Sequence, residues 1–318
     1  MTEGSSGPIG VTRGRDHGGG NGVYVPDLIA ARRTIGARTF DFDRQVAVMA
    51  IVNRTPDSFH DRGASYALDH AVYAVSAAVA DGADWVDIGG VPFGLHAGEV
   101  TEAEEIDRVV PVVTAARQAS DVVLSVDTYR PEVARRVIAA GADVVNDTSG
   151  LYDPGLADIV AESATTLVIT HSLARPPRTP VVRPTYRDVV AEVAAFLADR
   201  VSVALDHGVR PEQIVIDPGH DLNKNTHHSL ELTRRLADIA SLGYPTLVAL
   251  SNKDFIGEAL GRPQHERLVG TITSNVAAML QGARIVRVHD VRAAVDSVHM
   301  VAAILGWQEP VEVRHNVD

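Results

Sequence analysis

Eight short β-branched runs, alternating with Ala-rich stretches of helical period, predict a closed (β/α)8 barrel, an α/β fold in which each strand feeds a right-handed crossover. No linker divides the repeats, which favours one ring over two doubly wound halves. At 318 residues the chain also has room for such a barrel, typically about 250 residues, and for a tail.

Residues 1–22 are rich in Gly and Ser, carry the run Gly18-Gly19-Gly20 and hold too few apolar groups to offset chain entropy, so this tail is expected to be disordered. The glycines do not make a phosphate loop: no strand precedes them and no Gly-Lys-Ser/Thr follows. Residues 23–45 read as an irregular lead-in, with Arg38 to Asp43 able to cover the bottom of a barrel. The barrel itself is expected over 46–306. Its strands are Val46–Val52, Trp85–Ile88, Val122–Val126, Val144–Asn146, Thr165–Thr170, Ile214–Ile216, Thr246–Ala249 and Ile285–Val288. A helix over Ala67–Asp81 ends at Gly82. The next, Ala103–Ala119, opens with the capping box Thr101-Glu102-Ala103-Glu104. Gly141 closes the helix after the third strand, and Gly208 closes a long helix beginning near Tyr186. Residues 307–318 read as a C-terminal tail.

Composition narrows the function. With 45% hydrophobic and 22% charged residues and no long apolar run, the chain is expected to be a soluble globular protein with no membrane partner. Its net charge of −12 argues against a nucleic-acid partner, so an anionic ligand must be held by a local cluster of donors. The absence of cysteine excludes disulfides, thiolate metal sites and cysteine nucleophiles, and is compatible with a cytoplasmic location. The N-terminus lacks an apolar core segment, so no signal peptide is expected.

In a parallel ring, the loops leaving the C-terminal ends of the strands face the ligand crevice. The first of them lies in VAVMAIVNRTPDSFHDRG, Val46–Gly63, which breaks from a buried strand into a polar, Pro-containing loop. Asn53, Thr55, Asp57 and Ser58 are therefore candidate ligands for a metal or phosphate, with ordinary turn hydrogen bonding as the plain alternative. Polar residues follow the other strands too: Asp127, Asn146, Asp147, His171, Asp217, Lys253, Arg287 and His289. Any one Asp would read as a helix cap; their recurrence around one rim points to a site. A carboxylate accepts two parallel N–H bonds from a guanidine-like edge, so the Asp and Asn suit a flat heterocycle, while Lys253, Arg287 and His289 suit an oxygen or phosphate. There is no G-x-S-x-G, His227 and His228 lack the spacing of a zinc helix and read as surface residues, and Glu104 and Glu105 read as a solvated helix start.

VMAIVNRTPDSF, DIGG, SVDTYRPEVA, NDTSG, DPG, SNKDFIG and VRVHDV, in that order over Val46 to about Leu305, closely resemble dihydropteroate synthase. The resemblance implies a TIM barrel, normally a homodimer, that binds a dihydropterin pyrophosphate and displaces the pyrophosphate with the amine of p-aminobenzoate, assisted by Mg2+. It carries the pterin-binding roles onto Asp127, Asn146, Asp217 and Lys253, and the pyrophosphate roles onto Arg287 and His289. Asn53 falls on the metal-linked asparagine and Phe59 on the aromatic that packs against the benzoate. Such chemistry requires binding, neutralisation of the leaving anion and orientation of the amine, and no protein nucleophile.

The pattern also breaks. Where the family reads Ser-Thr-Arg-Pro-Gly, an ungapped alignment gives Pro92, Phe93, Gly94, Leu95 and His96. Ser-Arg-Lys-Ser becomes Ser251, Asn252, Lys253 and Asp254, which places a carboxylate on the p-aminobenzoate side. Gly-Phe-Gly-Lys becomes Asp221, Leu222, Asn223 and Lys224, and the methionines flanking His171 become Thr170 and Ser172. Cations are lost and acids gained where two anionic reactants should meet, so a paralogue with much of the pterin pocket but little or no synthase activity is expected. The alternatives are an active synthase in which Arg54 and Arg62 compensate, rim loops that tolerate substitution, and a non-catalytic dimeric binding or regulatory protein.

Overall fold

The computed structural model describes residues 23–53, 63–91, 100–176 and 183–316, with the side chains of Asn53 and residues 63–67 outside that description. The chain begins with an antiparallel hairpin, β1 (Arg32–Ile35) and β2 (Arg38–Asp41). There follow β3 (Ala47–Asn53), α1 (Gly63–Ala80), β4 (Trp85–Gly89), α2 (Glu102–Ala119), β5 (Val123–Asp127) and α3 (Pro131–Ala139). The middle of the chain supplies β6 (Val144–Asp147), α4 (Gly155–Ala161), β7 (Thr166–Thr170), α5 (Val189–Asp206) and β8 (Ile214–Asp217). It ends with α6 (Thr226–Arg234), α7 (Leu236–Ala240), β9 (Thr246–Val248), α8 (Asp254–Leu260), α9 (Leu268–Leu280), β10 (Ala283–Val288) and α10 (Val291–Ile304). Strands β3 to β10 pair in parallel and close into a barrel, β10 bonding to β3 through Ile285↔Ala47 to Val288↔Ala50. This is the (β/α)8 architecture that the alternating pattern predicts.

Side-chain alternation along each strand creates two cores. Outward residues such as Val48, Val86, Leu124, Val145, Leu167, Ile216 and Val286 pack beneath the helices. Inward residues Ala47, Met49, Trp85, Val123, Val144, Val168, Val215, Leu247 and Ile285 fill the lower half of the barrel. Residues 23–45 are more ordered than the irregular lead-in expected from their sequence. The hairpin places Ile35, Phe40 and Phe42 on that inner cluster, each no more than 1% exposed. Phe40 stacks on Phe42 at 5.6 Å and meets Trp85 edge-on at 5.8 Å. Arg33 staples the plug to the barrel by donating to the Ile214 carbonyl at 2.6 Å and the Glu212 carbonyl at 3.0 Å. With the bottom sealed, the open end is the one bearing the C-termini of the strands.

Two helix starts repay comparison with the sequence. The Thr101 capping box forms as expected, the hydroxyl accepting from the Glu104 N–H and the Glu104 carboxylate accepting from the Thr101 N–H at 2.8 Å. The long helix expected from Tyr186 starts instead at Val189, because Asp188 accepts from the N–H groups of Val190 and Ala191, both at 3.0 Å, and stops the helix there.

Candidate functional site

The period of two along the strands selects which polar groups enter the barrel. On six of the strands an inward polar residue sits one step above an inward apolar one: Asp87 above Trp85, Ser125 above Val123, Asn146 above Val144, Thr170 above Val168, Asp217 above Val215 and Arg287 above Ile285, whereas Ile51 and Ala249 continue the apolar lining above Met49 and Leu247. The same parity turns Asp147 and His171 away. Asp147 instead holds its own loop, accepting from Ser149 N at 2.8 Å and Ser149 Oγ at 2.6 Å, and burial raises its pKa to about 6. His171 faces Phe196, 4.7 Å between ring centroids, and its Nδ1 lies 2.8 Å from Lys224 Nζ. Burial and that cation bring the His171 pKa down to about 3.

Asp87 is the hub of the inward ring, and it was missed as a site residue although DIGG marks it. Fully buried, it accepts from Ser125 Oγ at 2.5 Å, Asn146 Nδ2 at 3.0 Å and Arg287 Nε at 2.7 Å. A carboxylate only accepts, so it fixes the Asn146 amide with its NH2 toward Asp87 and its oxygen away. That oxygen, Oδ1, is buried and has no partner, and neither has Thr170 Oγ1. Both residues line a cavity of about 430 Å³ with Asp217, Lys253, Arg287 and His289. A ligand able to donate to Asn146 and to bond Thr170 would satisfy both orphaned atoms. A larger groove of about 690 Å³ shares Ser251, Asn252 and His289 with it, but the ring of buried charges belongs to the smaller cavity.

The remaining charges are held in place from behind. Asp127 accepts from Thr148 Oγ1 at 3.2 Å, and Asp217 from Gly219 N at 2.7 Å, with burial raising the Asp217 pKa. Gly219 is required there: at φ +65° a Cβ would lie 2.2 Å from the His171 carbonyl oxygen. Burial disfavours the Arg287 cation, but Asp87, Asp127 and Asp217 outweigh that effect and hold its pKa above the ordinary value. Lys253 donates to the His220 carbonyl, and burial lowers its pKa. Lys224 Nζ is saturated by His171 Nδ1 and the Gly219 and Leu222 carbonyls, all at 2.8 Å; burial, then Lys253, bring its pKa down to about 7. Ser251 Oγ accepts from the His289 N–H at 3.2 Å and lies 3.0 Å from His289 Nδ1.

The mouth differs from the sequence reading. Asp221 and Asp254 are not two free acids. Asp221 Oδ2 accepts from the N–H groups of Asp254 at 2.7 Å and Phe255 at 3.4 Å, while Oδ1 accepts from Ser229 Oγ at 2.9 Å. Asp254 lies 3.0 Å from Arg267 Nη1, a cation delivered by the α8–α9 connection that motif alignment could not place. Glu105 is not solvated either: it is fully buried and pairs with Arg130 at 2.6 Å, whose other arm donates to the Val100 carbonyl at 2.6 Å. His227 is exposed, whereas His228 is half-buried against Tyr186 with ring centroids 5.0 Å apart. Arg54, Thr55, Asp57, Ser58, Phe59, Arg62 and Pro92–His96 lie outside the described residues, as does the side chain of Asn53 at the end of β3.

The family model described as "Pterin binding enzyme" matches residues 49–289, the whole span from the first inward strand to the last site residue. The chain belongs to the pterin-binding enzyme family. Within that family it is 44% identical over 283 residues to a protein of Mycobacterium tuberculosis named inactive dihydropteroate synthase 2, covering 87% of this chain and 88% of the relative. To the dihydropteroate synthase of Escherichia coli K12 it is 38% identical over 262 residues, 82% of this chain and 93% of that one. A Xanthomonas albilineans dihydropteroate synthase solved with 4-aminobenzoic acid superposes with a TM-score of 0.80 at 38% identity, over 86% of this chain and 98% of the other. The chain is thus a divergent dihydropteroate synthase-like member of the pterin-binding enzymes.

Proposed function

We propose that the deep cavity binds a pterin-like heterocycle and that the chain has little or no dihydropteroate synthase activity. The first part is supported by Asn146 Oδ1 and Thr170 Oγ1, buried acceptors without partners beside Asp217 and Lys253; Asp127 is not among the residues that line the cavity and reaches it only through Thr148. A pterin edge carries adjacent N–H donors and a ring oxygen that suit this set. Arg287 and His289 would face a pyrophosphate.

The second part is carried by one observation: at the mouth, the N–H groups of Asp254 and Phe255 that open α8 are occupied by the protein's own Asp221 carboxylate, and Asp254 itself lines the cavity. An incoming p-aminobenzoate would meet an acid in place of a donor. The name of the mycobacterial relative agrees with this reading. By the family resemblance, Mg2+ would enter as the companion of a pyrophosphate, with Asn53, whose side chain lies outside the described residues, as a protein ligand. A homodimer and a cytoplasmic location complete the proposal; among the described residues no helix is long and apolar enough to cross a membrane.

The test is a synthase assay of the full chain with dihydropterin pyrophosphate, p-aminobenzoate and Mg2+ beside an E. coli control. Turnover at least about a hundredfold below the control is expected, equivalent to about 2.7 kcal/mol of lost transition-state binding. Turnover within about tenfold would restore the active-synthase alternative.

A further inference from the structure

Three neighbouring strands, β6, β7 and β8, carry Asn146, Thr170 and Asp217 to one side of the deep cavity. In register, Thr170 pairs with Asp217, and Asn146 pairs with Val168, so Thr170 stands level with Asp217 and one inward step above Asn146. Its methyl group packs on Gly219, where an added Cβ would lie 3.3 Å from Thr170 Cγ2. A β-branched side chain has little χ1 freedom, so seating the methyl there fixes where the hydroxyl points. Thr170 is 1% exposed, and its Oγ1 has no hydrogen-bond partner among the described residues. The Asp217 carboxylate beside it bonds the Gly219 N–H at 2.7 Å instead. The motif that the chain resembles carries a methionine at this position, which has no hydroxyl to offer, so the pocket shared with that motif does not account for this group.

We propose that Thr170 is a specificity-determining residue, whose hydroxyl accepts a hydrogen bond from the exocyclic amino group of the bound heterocycle. This rests on the reading that the deep cavity holds a pterin-like ring. The number of donors decides which ligand group is meant. Asn146 Oδ1, left over when the amide NH2 bonds Asp87, can only accept, as can the Asp217 carboxylate. With Thr170 on the strand between them, the wall presents three acceptors, and a ring N–H beside an amino group presents three hydrogens. A carbonyl in place of the amino group would oppose Asn146, and a C–H there would leave buried oxygens unpaired.

The hydroxyl and the amino group are removed in turn to test this. Titration calorimetry measures the binding of 6-hydroxymethylpterin and of its 2-desamino analogue to the full chain and to Thr170→Val and Thr170→Ser, and each ligand-free protein is melted alongside. Thr170→Val keeps the shape of the side chain, so it should weaken 6-hydroxymethylpterin about tenfold and change the desamino analogue by no more than about twofold. The ligand-free variant should melt no lower than the unaltered protein, because it loses a buried hydroxyl that bonds nothing. Thr170→Ser, which keeps the hydroxyl, should bind 6-hydroxymethylpterin within about threefold of the unaltered protein. An unchanged 6-hydroxymethylpterin affinity in Thr170→Val, equal losses for the two ligands, or a clear fall in its ligand-free melting temperature would overturn the proposal while leaving the pterin reading intact. Failure of 6-hydroxymethylpterin to bind the unaltered protein would instead overturn the pterin reading, and this inference with it.

Discussion

Asp87 shows how one residue can organise a site without facing its ligand. Its two oxygens receive Ser125, Asn146 and Arg287, so it sets the Asn146 amide orientation and restrains Arg287 at the same time. Asp87→Asn leaves one acceptor for the Asn146 NH2 and Arg287, which share Oδ2, turns a donor toward the Ser125 hydroxyl on the other side, and removes the charge that balances Arg287. Removing one partner of a buried ion pair costs about 3–5 kcal/mol, so a large fall in the urea midpoint is expected. Affinity for 6-hydroxymethylpterin should also fall by about tenfold or more; unchanged affinity would show that Asn146 and Arg287 hold their places unaided. The DIGG motif named this residue but not its task. Nothing local says that Asp87 meets Arg287, since the two are brought together only when the first and last parts of the chain close the ring.

At the scale of elements, the hairpin β1–β2 is the part whose role was least visible. Its strands are too short to read by period, and RTFDFD was legible only as something able to cover the barrel. In the folded chain, Phe40 and Phe42 are the floor on which the inward ring rests. Phe42 is fully buried, and Arg284 donates to its carbonyl at 2.6 Å. Phe42→Ala should cost about 3–5 kcal/mol, read as a shift in denaturant midpoint at unchanged slope. Because the plug lies at the opposite end of the barrel from the ligand cavity, pterin affinity at low denaturant should stay within about twofold. A loss of binding without a loss of stability would contradict the division of labour between the two ends. The α8 opening teaches the converse lesson. Its sequence, SNKDF, suggested a stray acid, whereas its role depends on Asp221 reaching across from the β8–α6 loop and Arg267 arriving from the next connection.

At the scale of the whole molecule, the open question is the second copy. Leu260 at the end of α8 and Leu268 and Val269 at the start of α9 are 53%, 40% and 76% exposed, and Leu260 lies beside Gly270 of the same helix start. An apolar cluster of this kind is costly in water and suits a self-complementary contact. If the homodimer proposed above uses it, sedimentation velocity should show a dimer for the unaltered chain and a monomer for Val269→Glu, with the same far-ultraviolet circular dichroism. A Val269→Glu protein that still sediments as a dimer would place the contact elsewhere.

The barrel was legible from sequence because its strands are buried on both faces and its helices carry their own stop signals, both of which are local properties. The placement of Asp127, Asn146, Asp217, Lys253, Arg287 and His289 was legible for the same reason: each falls at or just after a strand end, and the fold brings those positions to one rim. The sequence by itself therefore determined the ring and the kinds of groups around it. Tertiary structure alone decided which of them point inward, which charges cancel and which atoms are left wanting a partner. Parity along a strand, a carboxylate reaching across to another loop's backbone and an arginine delivered from a later connection are relations between distant segments. Hydrogen-bond satisfaction is a property of those relations rather than of any one residue.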